Sequence, residues 1–196
     1  MSTRGMTLME VMVVIGILSV VGMTLSGTIA YFYKSNAYLL EQTSSLDNAR
    51  RGMNDAVRVI RQASYGDDGS FPMGYAATST LTFYSDLDND NSVEKVRYVL
   101  TGATLYREVT NSGGIPPSYA GQPQSTTTIA SYVANSTSTP LFTYYDINGT
   151  QLSTTTTDEA QVASVGIMLM VDINPLRAPN VFTLSETTTL RNLRTD

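Results

Sequence analysis

The chain has 196 residues with 12 Lys and Arg against 17 Asp and Glu, and its net charge of −5 disfavours a general electrostatic grip on nucleic acid. It contains no His and no Cys. This excludes Ser-His and Cys-His nucleophile pairs, His-based zinc sites and any disulfide framework, so a globular part must be held by sheet packing or by a metal.

The first element is apolar. From Val11 to Tyr33 the chain carries no charge and is broken only by small or hydroxylated residues. As a helix rising about 1.5 Å per residue it would extend roughly 35 Å, enough for a hydrocarbon core of about 30 Å. Glu10 stands at its edge. A carboxylate there is costly in lipid and needs a partner or a purpose. Three assignments compete. A secretory signal peptide would use Arg4 as its charged end and Thr28-Ile29-Ala30 as its cleavage site. A one-pass anchor needs only the apolar length. The third begins from the residues Arg4 to Glu10 themselves. Gly16, Gly22 and Gly27 interrupt the segment, each at about 1 kcal/mol relative to Ala, and allow close helix approach or local loosening.

The run Arg4-Gly5-Met6-Thr7-Leu8-Met9-Glu10 resembles the type III signal of type IV pilins and type II secretion pseudopilins, a short basic leader ending in Gly with Glu at the fifth mature position. The resemblance implies that a prepilin peptidase cuts between Gly5 and Met6 on the cytoplasmic side and methylates the Met6 amino group. It also implies that Glu10 meets the charged amino terminus of a neighbouring subunit and so sets assembly register, a pairing worth more in lipid than in water. A signal peptide explains neither Glu10 nor the helix-compatible sequence that continues beyond Ala30. Many major pilins carry a proline near the position of Gly27, and its absence here favours a pseudopilin or minor pilin.

With Arg50 as reference and 100° per residue, Leu39, Leu46, Ala49, Met53, Val57, Ile60 and Ala63 fall on one side of a helical wheel, and Arg50, Arg51, Arg58 and Arg61 on the other. No proline occurs before Ser64, and Gly66-Asp67-Asp68-Gly69 is a helix stop. One helix is predicted from Thr7 to Ser64. The Arg stripe reads first as a solvated face, with an acidic partner as the alternative. The expected layout is a leader (1–5), a transmembrane and assembly helix (6–33), its amphipathic continuation (34–64) and a β-rich head (65–196), one domain of ordinary size.

From Thr78 the period becomes two. Leu81 and Phe83, then Val96, Tyr98 and Leu100, then Leu105 and Val109 predict three strands in a meander, the first two joined by the polar turn Ser85 to Ser92. The region from Asn111 through the Ser/Thr-rich Ser125 to Thr139 reads as an exposed loop with room for one short strand. Leu141 to Asp146, a turn at Asn148-Gly149, a strand presenting Val165, Ile167, Leu169, Val171 and Ile173 on one face, and a last strand from about Val181 to Leu190 follow. The expected fold class is α+β, a long N-terminal helix packed on a small antiparallel head. In layout, Phe142-Thr143-Tyr144-Tyr145-Asp146, the Asn-Gly turn and Thr189-Leu190-Arg191-Asn192 resemble the larger minor pilins of the J/W type, which implies a place at or near a filament tip.

Candidate chemistry is sparse. The adjacent acids Asp67-Asp68 and Asp158-Glu159 read as solvated, and Lys34 and Lys95 are the only lysines, so an enzyme is not expected. Asp86, Asp88 and Asp90 are spaced by two in Asp86-Leu87-Asp88-Asn89-Asp90-Asn91 and are candidate ligands for Ca2+, against the simpler assignment of a polar hairpin turn. An EF-hand loop would want Gly at 91 and Glu at 97; here Asn91 can supply the turn, Arg97 cannot be the bidentate ligand, and Glu94 would have to substitute. Asn135-Ser136-Thr137 and Asn148-Gly149-Thr150 match the glycosylation acceptor pattern, the second better explained by its turn.

The expected function is that of a structural filament subunit, a minor pilin or pseudopilin of a type IV pilus or type II secretion-like filament. Its expected partners are other subunits, the prepilin peptidase and the cytoplasmic membrane, with no small-molecule substrate and no nucleic acid. The expected location is single-pass in the cytoplasmic membrane with the head outside the cytoplasm, and in a periplasmic or surface filament after assembly. The alternative is a binding module at the filament tip, an adhesin or DNA-uptake subunit, for which a groove or aromatic patch around Tyr119, Tyr132, Tyr144 and Tyr145 would speak.

Overall fold

With no proline to interrupt it, the N-terminal sequence forms one helix, α1 (Leu8–Arg61), of 54 residues. The structure, a computed structural model, describes residues 5–153, 159–174 and 181–191. Arg4, Asp158 and Asn192, used in the sequence argument, lie outside the described residues. The helix ends three residues before the predicted Ser64. Gln62 and Ala63 turn tightly onto the carbonyls of Val59 and Ile60, and the Ser64 N–H bonds the Tyr84 carbonyl at 2.9 Å, so a strand takes the hydrogen bond that another helical turn would have used.

The chain divides into two compact units, 1–43 and 44–196. In the first, every described residue from 5 to 34 is exposed. Its apolar window has a mean hydropathy of 2.3 and is 0% buried, so the helix is long and apolar enough to span a membrane. That much exposed apolar surface is incompatible with water and calls for lipid or other protein around it.

The second unit holds the end of α1 and two antiparallel sheets. Strands β1 (Met73–Ala76), β2 (Thr80–Ser85), β3 (Glu94–Thr101), β4 (Thr104–Thr110) and β5 (Gln124–Ser131) pair in chain order. Strands β6 (Phe142–Tyr145), β7 (Ser164–Val171) and β8 (Phe182–Thr189) form a second sheet in the same way. The α+β class and the meander through β2, β3 and β4 agree with the sequence pattern. Leu81 faces Tyr98 and Phe83 faces Val96 across β2 and β3. On β7, Val165, Ile167, Leu169 and Val171 are buried as predicted, while Ile173 falls beyond the strand.

Both sheets and the helix share one core. Ala49, Met53, Ala56, Val59, Ile60 and Ala63 join Leu81, Phe83, Val96 and Tyr98 from one sheet and Phe142, Tyr144, Val165 and Leu169 from the other. The buried residues of the helix end span about 120° at 100° per residue, as wide as the stripe expected but turned by about 40° toward Ala56 and Val59. Hence Ala56 and Val59 enter the core, Val57 is half-buried and Leu39 is exposed. Gly52 is a point of closest approach. A Cβ there would lie 2.5 Å from Ile129 Cγ2 and 2.7 Å from the Ile129 carbonyl oxygen. The four predicted Arg residues are exposed, and their contacts are mostly local: Arg58 to Asp55 at 2.7 Å and Arg51 to Asn48 at 2.7 Å. Asp55 also bridges to Arg107 of β4 at 2.5 Å.

Candidate functional site

Gly5, Met6 and Thr7 precede α1 and are exposed, so the Gly5–Met6 peptide bond lies in non-helical chain. Helix α1 then opens with a reciprocal cap. The Thr7 N–H and hydroxyl donate to Glu10 Oε2 at 3.0 and 3.2 Å, and the Glu10 N–H donates to Thr7 Oγ1 at 3.3 Å. This capping box satisfies donors that have no partner inside the helix and places a negative charge where the helix dipole favours it. Sequence reasoning gave Glu10 only an intermolecular role and missed the box. Its signal, Thr-x-x-Glu directly before an apolar run, was present at 7–10.

The second candidate is the turn between β2 and β3. Oxygens of Asp86, Asp88 and Glu94 lie within 4.8 Å of one another, with Asp86 half-buried, Asp88 exposed and Glu94 only 3% exposed. The predicted trio is thus changed in one member. The Asp90 Oδ1 atom accepts the Ser92 N–H at 2.7 Å, and Glu94 is the third carboxylate brought in. Glu94 Oε2 accepts the Leu87 N–H at 2.8 Å, whereas Oε1 is buried without a hydrogen-bond partner. Burial, together with the acids at 88, 90 and 86, pushes the Glu94 carboxyl above the usual range. Asn89 and Asn91 take φ values of 61° and 69°, the left-handed conformation foreseen for Asn91. Arg97, where an EF-hand would want Glu, lies in β3 and pairs with Glu108 at 2.9 Å.

Asp67, read from sequence as solvated, instead fastens this turn. It accepts the Val93 N–H at 3.2 Å and the hydroxyls of Ser92 and Ser112. Its own N–H donates to the Tyr119 hydroxyl at 3.0 Å, which in turn donates to the Val93 carbonyl at 2.6 Å. Burial pushes the Tyr119 phenol up to about 12, so it stays a donor at neutral pH. Asp68 keeps to its own loop, where Ser70 hydrogen bonds hold its carboxyl below the usual range.

The four tyrosines named as a binding patch do not share one role. Tyr119 is buried at 5.2 Å from the Tyr84 ring, and Tyr144 is buried with its hydroxyl on the Ala77 carbonyl at 2.8 Å. Tyr132 is exposed at a φ of 59°. Asn135 acts as a strand surrogate, donating to the Met168 carbonyl at 2.7 Å and accepting the Met170 N–H at 2.9 Å. Its amide nitrogen is committed to the fold, which argues against its use as a glycan acceptor. At 146–150, Asp146 accepts the N–H groups of Asn148 and Thr150, and Gly149 takes a φ of 80°, the expected turn. No protein-family model and no curated protein matches the chain.

Proposed function

We infer that this protein is a filament subunit of the type IV pilus or type II secretion class, cut after Gly5, methylated at Met6 and held in the cytoplasmic membrane until assembly. The observation that carries the proposal is the coupling of two properties in α1. Residues 11–33 are exposed and uncharged, mostly apolar, while from Ala49 onward one face of the helix is buried in a core shared with antiparallel sheet. A helix so arranged has one end that needs lipid or other helices and another that already has its own head. Packing many such apolar segments side by side replaces lipid contacts with protein contacts, and a filament is the arrangement in which each copy does this equally.

Glu10 fits the proposal because a carboxylate at the start of an apolar helix is stable in lipid only when paired. The capping box gives it a partner within one chain, and a methylated Met6 amino group of a neighbour would add an opposite charge, favoured strongly at low dielectric. The lack of His and Cys, together with the core role of the strands, favours a structural subunit over a catalyst. The test is fractionation of Glu10→Ala and Glu10→Gln variants in the native host. Both should reach the membrane and be processed, and incorporation into sheared or purified filaments should fall at least about tenfold for Glu10→Ala. Wild-type incorporation by Glu10→Ala would refute the register role.

A further inference from the structure

We propose that the turn joining β2 and β3 is a calcium site, with Asp86, Asp88 and Glu94 as its carboxylate ligands. Two independent observations carry it. The first is geometric: one oxygen from each residue lies within 4.8 Å of the others, a spread that a calcium ion with oxygens at about 2.3–2.6 Å can bridge. The second concerns Glu94 alone. The residue is 3% exposed, its carboxylate supplies one oxygen to this group, and its Oε1 atom has no hydrogen-bond partner. A buried carboxylate oxygen without a donor is strongly unfavourable, and a water, a proton or a cation can satisfy it.

A cation suits the surroundings better than a proton. None of the ion pairs Arg58–Asp55, Arg97–Glu108 and Arg107–Asp55 reaches Asp86, Asp88, Asp90 or Glu94. Protonating Glu94 would leave the charges of Asp86 and Asp88 facing each other, whereas one divalent ion answers all three. All the donors are hard oxygens, which selects calcium or magnesium over softer metals. Calcium is favoured because it tolerates the irregular, water-completed shell of an open turn, while magnesium demands near-octahedral geometry and gives up water reluctantly. Asp90 is not among the carboxylates brought together; its Oδ1 accepts the Ser92 N–H at 2.7 Å, as Asp86 Oδ1 accepts the Asn89 N–H at 2.7 Å. The site is independent of the filament proposal, since it lies wholly within the head.

The test uses the full chain in detergent micelles, stripped with EDTA and titrated with calcium chloride, with magnesium chloride as the comparison. Isothermal titration should show one calcium per chain with a Kd of roughly 0.1–1 mM, the range of open extracytoplasmic sites, and magnesium at least about tenfold weaker. At calcium about a hundredfold above Kd the head should melt about 5–10 °C higher. Asp88→Asn, at an exposed position where folding is not at stake, should weaken binding by about tenfold or more, and Asp86→Asn similarly. The proposal is overturned if wild-type protein shows neither heat nor melting shift up to about 10 mM calcium. It is equally overturned if Asp86→Asn and Asp88→Asn bind as wild type does. A Glu94→Gln variant that melts higher while the wild type ignores calcium would show that a proton satisfies Oε1, and would also overturn it.

Discussion

Glu10 and Glu94 are both carboxylates, one exposed in the first turn of an apolar helix and one buried beside a turn, and each shows how a residue's surroundings decide its use. Glu10 is satisfied locally by the Thr7 N–H and hydroxyl, which leaves its charge available to a second partner. Glu94 is half satisfied, by the Leu87 N–H alone. The sign of its effect on stability follows. A carboxyl raised above its ordinary 4.5 by burial and neighbouring acids binds a proton more tightly in the folded state. Calcium-free protein therefore loses stability as pH rises through that raised value, and regains it as pH falls toward 4.5. Asp68 and Asp146 act in the opposite sense. Their hydrogen bonds hold them below 3.8, so the stability they contribute is present above that value and lost as pH falls through their folded values. Denaturant unfolding in EDTA across about pH 3 to 8 should show a mildly acidic maximum, with the alkaline decline flattened in Glu94→Gln. A decline of the same steepness in wild type and Glu94→Gln would contradict this account of Glu94.

At the scale of elements, legibility followed burial. Strands β2, β3 and β4 were readable because Leu81, Phe83, Val96, Tyr98 and Leu105 alternate inward with polar neighbours, and all five are buried. Strand β5 was hidden: Gln124 to Thr128 are exposed and mostly Ser and Thr, so the strand has no apolar alternation until Ile129 and Ala130. Strand β1 has four residues and a register shift near Gly74, too short for a period to show. The acidic turn was legible as a carboxylate repeat. Glu94 was legible only as a substitute for the missing EF-hand ligand, since it is the pairing of Ser85 with Glu94 that brings that side chain to Asp86 and Asp88. The roles of Asp67 and Asn135 also depend on partners distant in sequence, which no local pattern reveals. Gly52 is a similar case. Elsewhere in a helix, Gly to Ala stabilises by about 1 kcal/mol, but here the added methyl would meet Ile129 and its carbonyl. Gly52→Ala should destabilise the head by about 1–3 kcal/mol, read as a lower denaturant midpoint with unchanged slope. An unchanged or higher midpoint would show that β5 can yield at this contact.

Over the whole molecule, a chain of modest negative charge and no cysteine builds one core from the end of α1 and two sheets, while leaving residues 5–34 with no burial of their own. The head needs no disulfide because helix and sheets share that core. The apolar segment can be neither removed nor left in water if the protein is to assemble, so the account requires that processing spare it and cut only the exposed residues ahead of the cap. The Thr7–Glu10 box sits directly beyond the proposed cut, and cleavage after Gly5 would leave both of its residues in place. The most direct measurement is the N-terminal mass of the protein recovered from native membranes. A chain that begins at N-methylated Met6 is the predicted result. A chain that begins at Tyr31, the product of a signal peptidase, or at Met1 or Ser2, an unprocessed anchor, would contradict the account and remove the assembly role given to Glu10.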